Sequence, residues 1–422
     1  MGSRLLIRVL AIFSLVVGLG SRGFAQAPAG KNVVLWINVD GLRHDYVDRD
    51  KPAFLTKLKN EGAYSTALVP IFPSLTFPSH LSMATGRDVS GHGVPGNSFY
   101  DTADEQERQY PADYKFVRCE AIWVTAPRQG VRASVIDWPV SHRQSGKVTA
   151  DYFGQAYDNK LDDDARLELA IKPYLTDDKP QPLQLVMGYV SKVDVVGHAE
   201  GPDSPKVAAE LKKVDAILEA GVKRVIERFD QRMGPQDELY VIITTDHGMS
   251  ACKTQVSAER MLGDAYEKDL MLNASGPILH VFVNKLPEAQ RAAKVKAILD
   301  QLKKHDFVAN AWAKSDIPAP LGLSDPTRVG DVVVSLKSGY TVTRSRQALT
   351  MPVTARGPNG MHGYDVAADP NMKGWMVIWR YRKPIGGKDL GEVGARQLYP
   401  TVCKLLNVQP AEGAETKAIE IP

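Results

Sequence analysis

Short apolar runs recur along the chain, and each stops at a polar or glycine-rich turn. Residues 33–39, 183–190 and 239–244 carry apolar side chains at consecutive rather than alternate positions, as strands buried on both faces do. The clearest helix is predicted over residues 206–233. There Val207, Leu211, Val214, Leu218, Val222, Val225 and Phe229 recur at intervals of three or four and form one stripe. Ser204 is placed to cap it, Pro205 suits its first position and Gly234 ends it. Strands alternating with such helices predict an α/β fold: a doubly wound, mostly parallel sheet flanked by helices. Residues 277–343 read differently, as strand (278–283), helix (287–304) and strand (331–336), and are expected to form a small α+β insertion. The tail returns to a strand (375–380) and a closing helix (393–406).

The ends of these runs carry the chemistry. Asp40 ends the first, Asp194 lies just past the second, and Asp246-His247 closes the third. Open α/β sheets bind ligands beyond the carboxyl ends of their strands. Asp194 and His198 are four apart, so one helical turn brings them together. Asp246 and His247 would face opposite ways on a regular strand; joint use needs a bend, which Gly248 eases. His362 sits in a glycine-flanked loop, Gly360-Met361-His362-Gly363-Tyr364-Asp365, able to approach the same edge. Singly, these residues are commonplace: a strand-ending Asp is usually a turn residue, and an Asp and His four apart are often a surface pair. Together they amount to six oxygen and nitrogen ligands, enough for two metal ions. Mixed Asp/His ligation suits zinc best, with manganese or another divalent ion open.

A hydroxyl completes the set. Thr76 lies in Leu75-Thr76-Phe77-Pro78-Ser79-His80, ahead of a predicted helix over 77–85 with Pro78 in its first turn. As the N-cap, Thr76 would stand where free N–H groups and the helix dipole favour a phosphate oxygen. A threonine hydroxyl is too weakly acidic to attack unaided, so a metal would have to hold it as the alkoxide. Ser74, Ser79 and Ser82 are alternatives on chemistry alone.

Composition narrows the setting. Residues 1–27 read as an export signal: Arg4 and Arg8 are basic, residues 10–19 are apolar or small, and cleavage fits after Ala25 or Ala27, the latter disfavoured by Pro28. The apolar run is shorter than the ~20 residues a membrane span needs, so no stable membrane anchor is expected after signal removal. Without that segment the formal charge falls from +3 to zero. A neutral chain without basic runs is poorly suited to gripping a long nucleic acid. A small phosphorylated substrate remains open, because bound metals can supply the positive charge. Only Cys119, Cys252 and Cys403 are present, with no C-x-x-C pairing, so neither a thiolate zinc site nor a disulfide framework is expected, and one disulfide with a spare thiol stays open. Few cysteines in an exported protein fit a bacterial envelope, periplasmic or secreted.

These motifs resemble the nucleotide pyrophosphatase/phosphodiesterase branch of the alkaline phosphatase superfamily. The likeness runs from about residue 32 to 409 and rests on many segments in order: Val39-Asp40-Gly41-Leu42-Arg43, Leu75 to His80 with Thr85-Gly86, His92-Gly93-Val94 leading to Gly96-Asn97, Trp123 to Ala126, Trp138-Pro139, Asp194 to Pro202, Thr245 to Met249, and His362 to Asp365. The resemblance implies a catalytic domain over residues 30–422 and two zinc ions. One would be bound by Asp194, His198 and His362. The other would be bound by Asp40, Asp246 and His247, with Thr76 coordinated to it as the nucleophile. It further implies that Asn97 donates to a phosphate oxygen and that Phe77 stacks on a nucleobase, opposite a tyrosine for which Tyr152 and Tyr157 are candidates. Residues 145–158 depart from the family pattern, so the second wall of that pocket is the least defined part.

The implied activity is hydrolysis of nucleotide phosphodiester or pyrophosphate bonds by in-line displacement through a phospho-threonyl intermediate. Three competitors share the scaffold. A phosphate monoesterase would need an extra cation; Arg43 follows the first ligand as it does in diesterases and Arg356 reads more readily as a surface residue, so no clear extra cation is present and diesters and pyrophosphates are favoured. A phospholipid-type phosphodiesterase would need a pocket for a quaternary ammonium, which no segment supplies clearly. A non-catalytic zinc-binding protein would tolerate loss of the nucleophile or a ligand, yet all seven positions are filled.

Overall fold

The strand Asn32–Val39 shows why the sheet is covered on both sides. Val33, Leu35, Ile37 and Val39 pack into one buried cluster with the stripe of the helix Pro205–Arg232, while Val34 and Trp36 pack into another on the opposite face. The computed structural model describes residues 31–422 apart from Ala355, Arg356 and Thr416. The expected export signal and the candidate cation Arg356 therefore lie outside the described residues. Among the described residues, no helix is long and apolar enough to cross a membrane.

The main sheet has nine strands. Asn32–Val39 runs at its centre, parallel to Leu185–Val190 on one side and to Glu238–Thr244 on the other. Beyond Leu185–Val190 come Ala133–Val135 and Tyr152–Phe153, both parallel. Beyond Glu238–Thr244, Gly374–Arg380 runs antiparallel and pairs with Ala63–Val69, whose edges take Lys388–Asp389 and Glu392–Gly394. Helices Asp163–Thr176, Ala53–Glu61 and Pro205–Arg232 cover one face, and Thr76–Thr85, Ile122–Arg128 and Leu398–Leu405 the other. The chain is thus α/β with a mostly parallel sheet flanked by helices. Because Asn32–Val39, Leu185–Val190 and Glu238–Thr244 are parallel neighbours, their carboxyl ends meet on one edge.

Pro205–Arg232 begins as its sequence indicates: the Ser204 hydroxyl accepts from Lys206 N at 3.3 Å, and all seven stripe residues are buried. Two local expectations fail. The closing helix does not start at Val393: that residue pairs in a parallel strand with Leu68, a turn over Ala395–Gln397 follows, and the helix is Leu398–Leu405. Gln397 Oε1 accepts from Gly394 N at 2.9 Å and opens the turn there. The second correction concerns Thr76. It is the first residue of the helix Thr76–Thr85, and extended Leu75 is its N-cap, without a side-chain cap bond.

A separate four-stranded antiparallel sheet runs in the order Met271–Ser275, Ile278–Phe282, Val332–Leu336, Val308–Ala313, and the helix Glu288–Leu302 packs into its core. Tyr340–Thr343 leaves that sheet to pair in parallel with Thr254–Ser257. Cys119, Cys252 and Cys403 are unpaired thiols.

Candidate active site

The carboxyl edge of the sheet gathers the charged residues that sequence singled out. Asp40 directly follows Asn32–Val39, and its N–H donates to Val190 O on the neighbouring strand at 2.9 Å. Next to it, Gly41 adopts φ +68, and a Cβ there would meet Asp194 at 3.0 Å. Asp194 and His198 lie one turn apart on the helix Lys192–Glu200, with His198 Nε2 3.5 Å from Asp194 Oδ1. Asp163 sets that helix in place, accepting from Ser191 N at 2.9 Å and Lys192 N at 3.0 Å with its two carboxylate oxygens. Negative charge at the helix N-terminus suits the dipole.

Asp246 and His247 follow the end of Glu238–Thr244, and Gly248 is needed there for space. Its N–H donates to Met372 O, and a Cβ would fall 1.9 Å from Asn371 O. Gly248→Ala should therefore destabilise the fold more than an ordinary surface Gly→Ala change, by several kcal/mol. Thermal melting of the variant against wild type measures it.

His362 Nε2 stands 3.1 Å from His198 Nε2 and 3.8 Å from Asp194 Oδ1. His247 Nε2 lies 3.1 Å from Asp246 Oδ2, 3.3 Å from Asp40 Oδ1 and 3.2 Å from Thr76 Oγ1. The rings of His247 and His362 stack with centroids 3.5 Å apart and join the two groups. Ligand atoms of Asp40, Asp246 and His247 lie within 4.8 Å of one another, as do those of Asp194, His247 and His362.

The outer hydrogen bonds around these groups fix which atoms turn inward. His198 Nδ1 is 2.8 Å from Gly360 O, His247 Nδ1 2.9 Å from Gly248 O, and His362 Nδ1 3.0 Å from Ser74 O. A carbonyl can only accept, so each Nδ1 carries the proton and each Nε2 can offer its lone pair inward. Asp40 Oδ2 accepts from the Tyr189 hydroxyl, and Asp246 Oδ1 accepts from Gly41 N, Asn38 Nδ2 and Thr245 Oγ1. By contrast Asp40 Oδ1, Asp194 Oδ1 and Asp246 Oδ2 are buried without a hydrogen-bond partner. Three such oxygens in one place would be costly unless a cation compensates them. Three carboxylate oxygens and three imidazole nitrogens form a donor set that fits divalent cations.

The electrostatics agree. Burial, with the Asp246 and Asp194 charges, pushes the Asp40 carboxyl well above the ordinary carboxylate range. Burial opposes charge on His247, but the Asp246 carboxylate outweighs it and raises this imidazole. Burial, then the neighbouring His247 and His198, push His362 well down.

Thr76 Oγ1 opens onto a cavity of about 510 Å³ lined also by Asp40, Phe77, Asn97, Tyr157, Asp194, His198 and His362. Asn97 Oδ1 accepts from Phe77 N at 2.9 Å, which turns Asn97 Nδ2 towards Thr76 Oγ1 at 3.4 Å. Tyr157 lines the cavity, whereas Tyr152 lies on the sheet edge and donates to Asp177 Oδ2 at 3.2 Å. Arg43 is turned away, pairing with Asp45 and Asp203 at 2.7 Å. Sequence reasoning missed several wall residues: Tyr110, edge-on to Phe77 at 5.8 Å; Tyr189, tied to Asp40; and the Asp137–His142 pair, joined at 3.1 Å. Tyr189 alone had a signal, as the penultimate residue of a strand ending at the site.

The sequence profile of the type I phosphodiesterase/nucleotide pyrophosphatase family matches residues 34–365. The chain belongs to that family. Among its relatives, the mouse bis(5'-adenosyl)-triphosphatase enpp4 is 27% identical over 415 residues, covering 96% of this chain and 83% of that protein. An uncharacterized pyrophosphatase/phosphodiesterase of Schizosaccharomyces pombe is 27% identical over 411 residues, covering 93% and 80%. The solved structure of murine ectonucleotide pyrophosphatase/phosphodiesterase 5, in an inactive form in complex with AMP, superposes with a TM-score of 0.75 at 22% identity over 90% of this chain and 96% of that one. That likeness shows a shared alkaline-phosphatase-like fold.

Proposed function

We propose that this chain is an exported, two-metal phosphodiesterase/nucleotide pyrophosphatase with Thr76 as its nucleophile. The observation that carries the reading is the convergence of three partnerless carboxylate oxygens and three inward-facing imidazole nitrogens beside a hydroxyl on a helix N-terminus. Asp40, Asp246, His247 and Thr76 are assigned to one cation and Asp194, His198 and His362 to the other, with zinc favoured by the donor set. When bound, the two cations would offset the carboxylate charge and make a hydroxyl or water acidic enough to attack.

The residues divide the remaining work. Thr76 Oγ1 gives up its hydroxyl proton to solvent and attacks phosphorus, forming the Oγ1–P bond as the ester or anhydride P–O bond opposite it breaks and its oxygen departs with the electron pair. Asn97 Nδ2 donates to a non-bridging phosphate oxygen, held in line by Phe77 N. The N–H of Thr76, at the first helical position, has no acceptor within its own helix and is assigned to the same oxygen class. Water then attacks phosphorus from the vacated side, the Oγ1–P bond breaks, and Thr76 recovers its proton.

Nucleotide selectivity is assigned to Phe77 and Tyr157, which face the cavity as aromatic walls. The bis-adenosyl triphosphate named for the mouse relative and the AMP named for the structural neighbour support a nucleotide as the small substrate. Phe77→Ala should raise KM for p-nitrophenyl thymidine monophosphate by about tenfold, as loss of one stacked ring does. Bis(p-nitrophenyl) phosphate, which lacks a base, should change far less. Neither Lys nor Arg lines the cavity among the described residues, which favours diesters and anhydrides over the more highly charged monoesters. A paired assay of p-nitrophenyl thymidine monophosphate and p-nitrophenyl phosphate, with chelation and zinc restoration, tests this. Zinc-restorable preference for the diester is expected; preference for the monoester would make the enzyme a phosphatase.

A further inference from the structure

Beside the main cavity lies a second groove, of about 400 Å³. It shares Asn97, Tyr110, His198 and His362 with the catalytic cavity but does not reach Asp40, Thr76 or Asp194. Its far wall comes from the segment that the central α/β pattern does not explain: the hairpin turn Ser275-Gly276 and Arg344, just past Tyr340–Thr343. The turn is built tightly onto the site. Gly276 has φ +57, a Cβ on it would lie 3.1 Å from His362 O, and Ser275 Oγ accepts from Asn97 N at 3.3 Å.

The groove holds one strong charge. Among the described residues, Arg344 is its sole Lys, Arg, Asp or Glu, and no Lys or Arg lines the main cavity. The Arg344 guanidinium pairs with Glu107, whose Oε1 also accepts from Asn273 Nδ2 at 3.0 Å. The Arg344 side chain remains 61% exposed. A guanidinium has five N–H donors, so this pairing orients it and leaves donors for another anion.

In an in-line displacement the leaving atom departs on the side opposite the nucleophile. Thr76 Oγ1 stands beside His247, whereas His198 and His362 meet each other at 3.1 Å in the other group. A groove that touches His198 and His362 but not Thr76 lies where a leaving group would extend. We propose that this groove is a subsite for a phosphorylated leaving group, with the Arg344 guanidinium on its terminal phosphate. The proposal rests on the phosphodiesterase/nucleotide pyrophosphatase reading above and deepens it by naming the residue that would hold a leaving phosphate.

Two substrates that keep the same thymidine monophosphate half isolate the effect. Thymidine triphosphate loses pyrophosphate, whereas p-nitrophenyl thymidine monophosphate loses an aryl group without phosphate. Arg344→Ala should raise KM for the triphosphate about tenfold, the scale of one charge-assisted contact partly screened by water, and raise KM for the aryl diester less than a third as much. Glu107→Gln, which removes the competing anion, should lower KM for the triphosphate, an effect in the opposite direction that a misfolded variant cannot mimic. Equal changes on both substrates, no change on the triphosphate in either variant, or a wild type that cleaves only the aryl diester would overturn the subsite and leave the parent reading standing. A wild type inert towards both would overturn the parent reading itself.

Discussion

Thr76→Ala is expected to lose about four orders of magnitude in kcat on p-nitrophenyl thymidine monophosphate, as removal of a covalent nucleophile does when the rest of the site remains. The expectation follows from placement. Thr76 Oγ1 lies 3.2 Å from His247 Nε2 and 3.4 Å from Asn97 Nδ2, at the first position of the helix Thr76–Thr85. Ser74, Ser79 and Ser82 do not stand in for it. The Ser74 hydroxyl donates to Tyr364 O at 2.7 Å, and Ser79 and Ser82 are fully buried along the helix. The variant keeps every carboxylate and imidazole, so its zinc content by elemental analysis should remain close to wild type. Residual activity above about a tenth of wild type would contradict the assignment.

How much of this was legible follows from how each residue is placed. Consecutive apolar residues marked the three central strands, because a parallel strand covered by helices on both faces tolerates little else. The ends of those strands then located Asp40 and Asp246-His247 without further information. The 3.6-residue stripe from Val207 to Phe229 was equally direct. The walls of the cavity carry no such periodicity. Tyr110 follows the hairpin of Ser98–Asp101 and Gln106–Gln109 with φ +47, and Asp137 and Val140 sit in a loop at φ +61 and +60. Left-handed backbone at non-glycine residues leaves no pattern in sequence, so tertiary packing alone brings them to the site. The closing helix was overread because Val393, apolar at helical spacing, is held by an edge strand.

Removing the cations should both silence and loosen the protein. The chelated enzyme is expected to lose all but a few per cent of its activity and to regain it with zinc. Its melting temperature at pH 7.5 should fall by several degrees, because ligands that bind only the folded state stabilise it by mass action. The sign of the pH dependence follows from Asp40, whose carboxyl is pushed up first by burial and then by the Asp246 and Asp194 charges. A carboxyl raised on folding costs no stability below the ordinary carboxylate range, and the cost grows as pH rises through its folded value. The metal-free protein should therefore recover stability relative to the zinc form as pH drops from 7.5 towards 5. Asp40→Asn should be inactive, yet its metal-free form should melt above metal-free wild type at pH 7.5. Unchanged activity and melting after chelation, checked by elemental analysis, would remove the basis for a two-metal site.

The central claim is that phosphorus passes through Thr76 rather than directly to water, and stereochemistry at phosphorus tests it most directly. A single diastereomer of p-nitrophenyl thymidine phosphorothioate would be hydrolysed in heavy-oxygen water and the configuration of the product assigned. Attack by Thr76 followed by attack of water makes two inversions, so the account predicts net retention. Net inversion would mean a single displacement by water, with Thr76 a bystander to the chemistry.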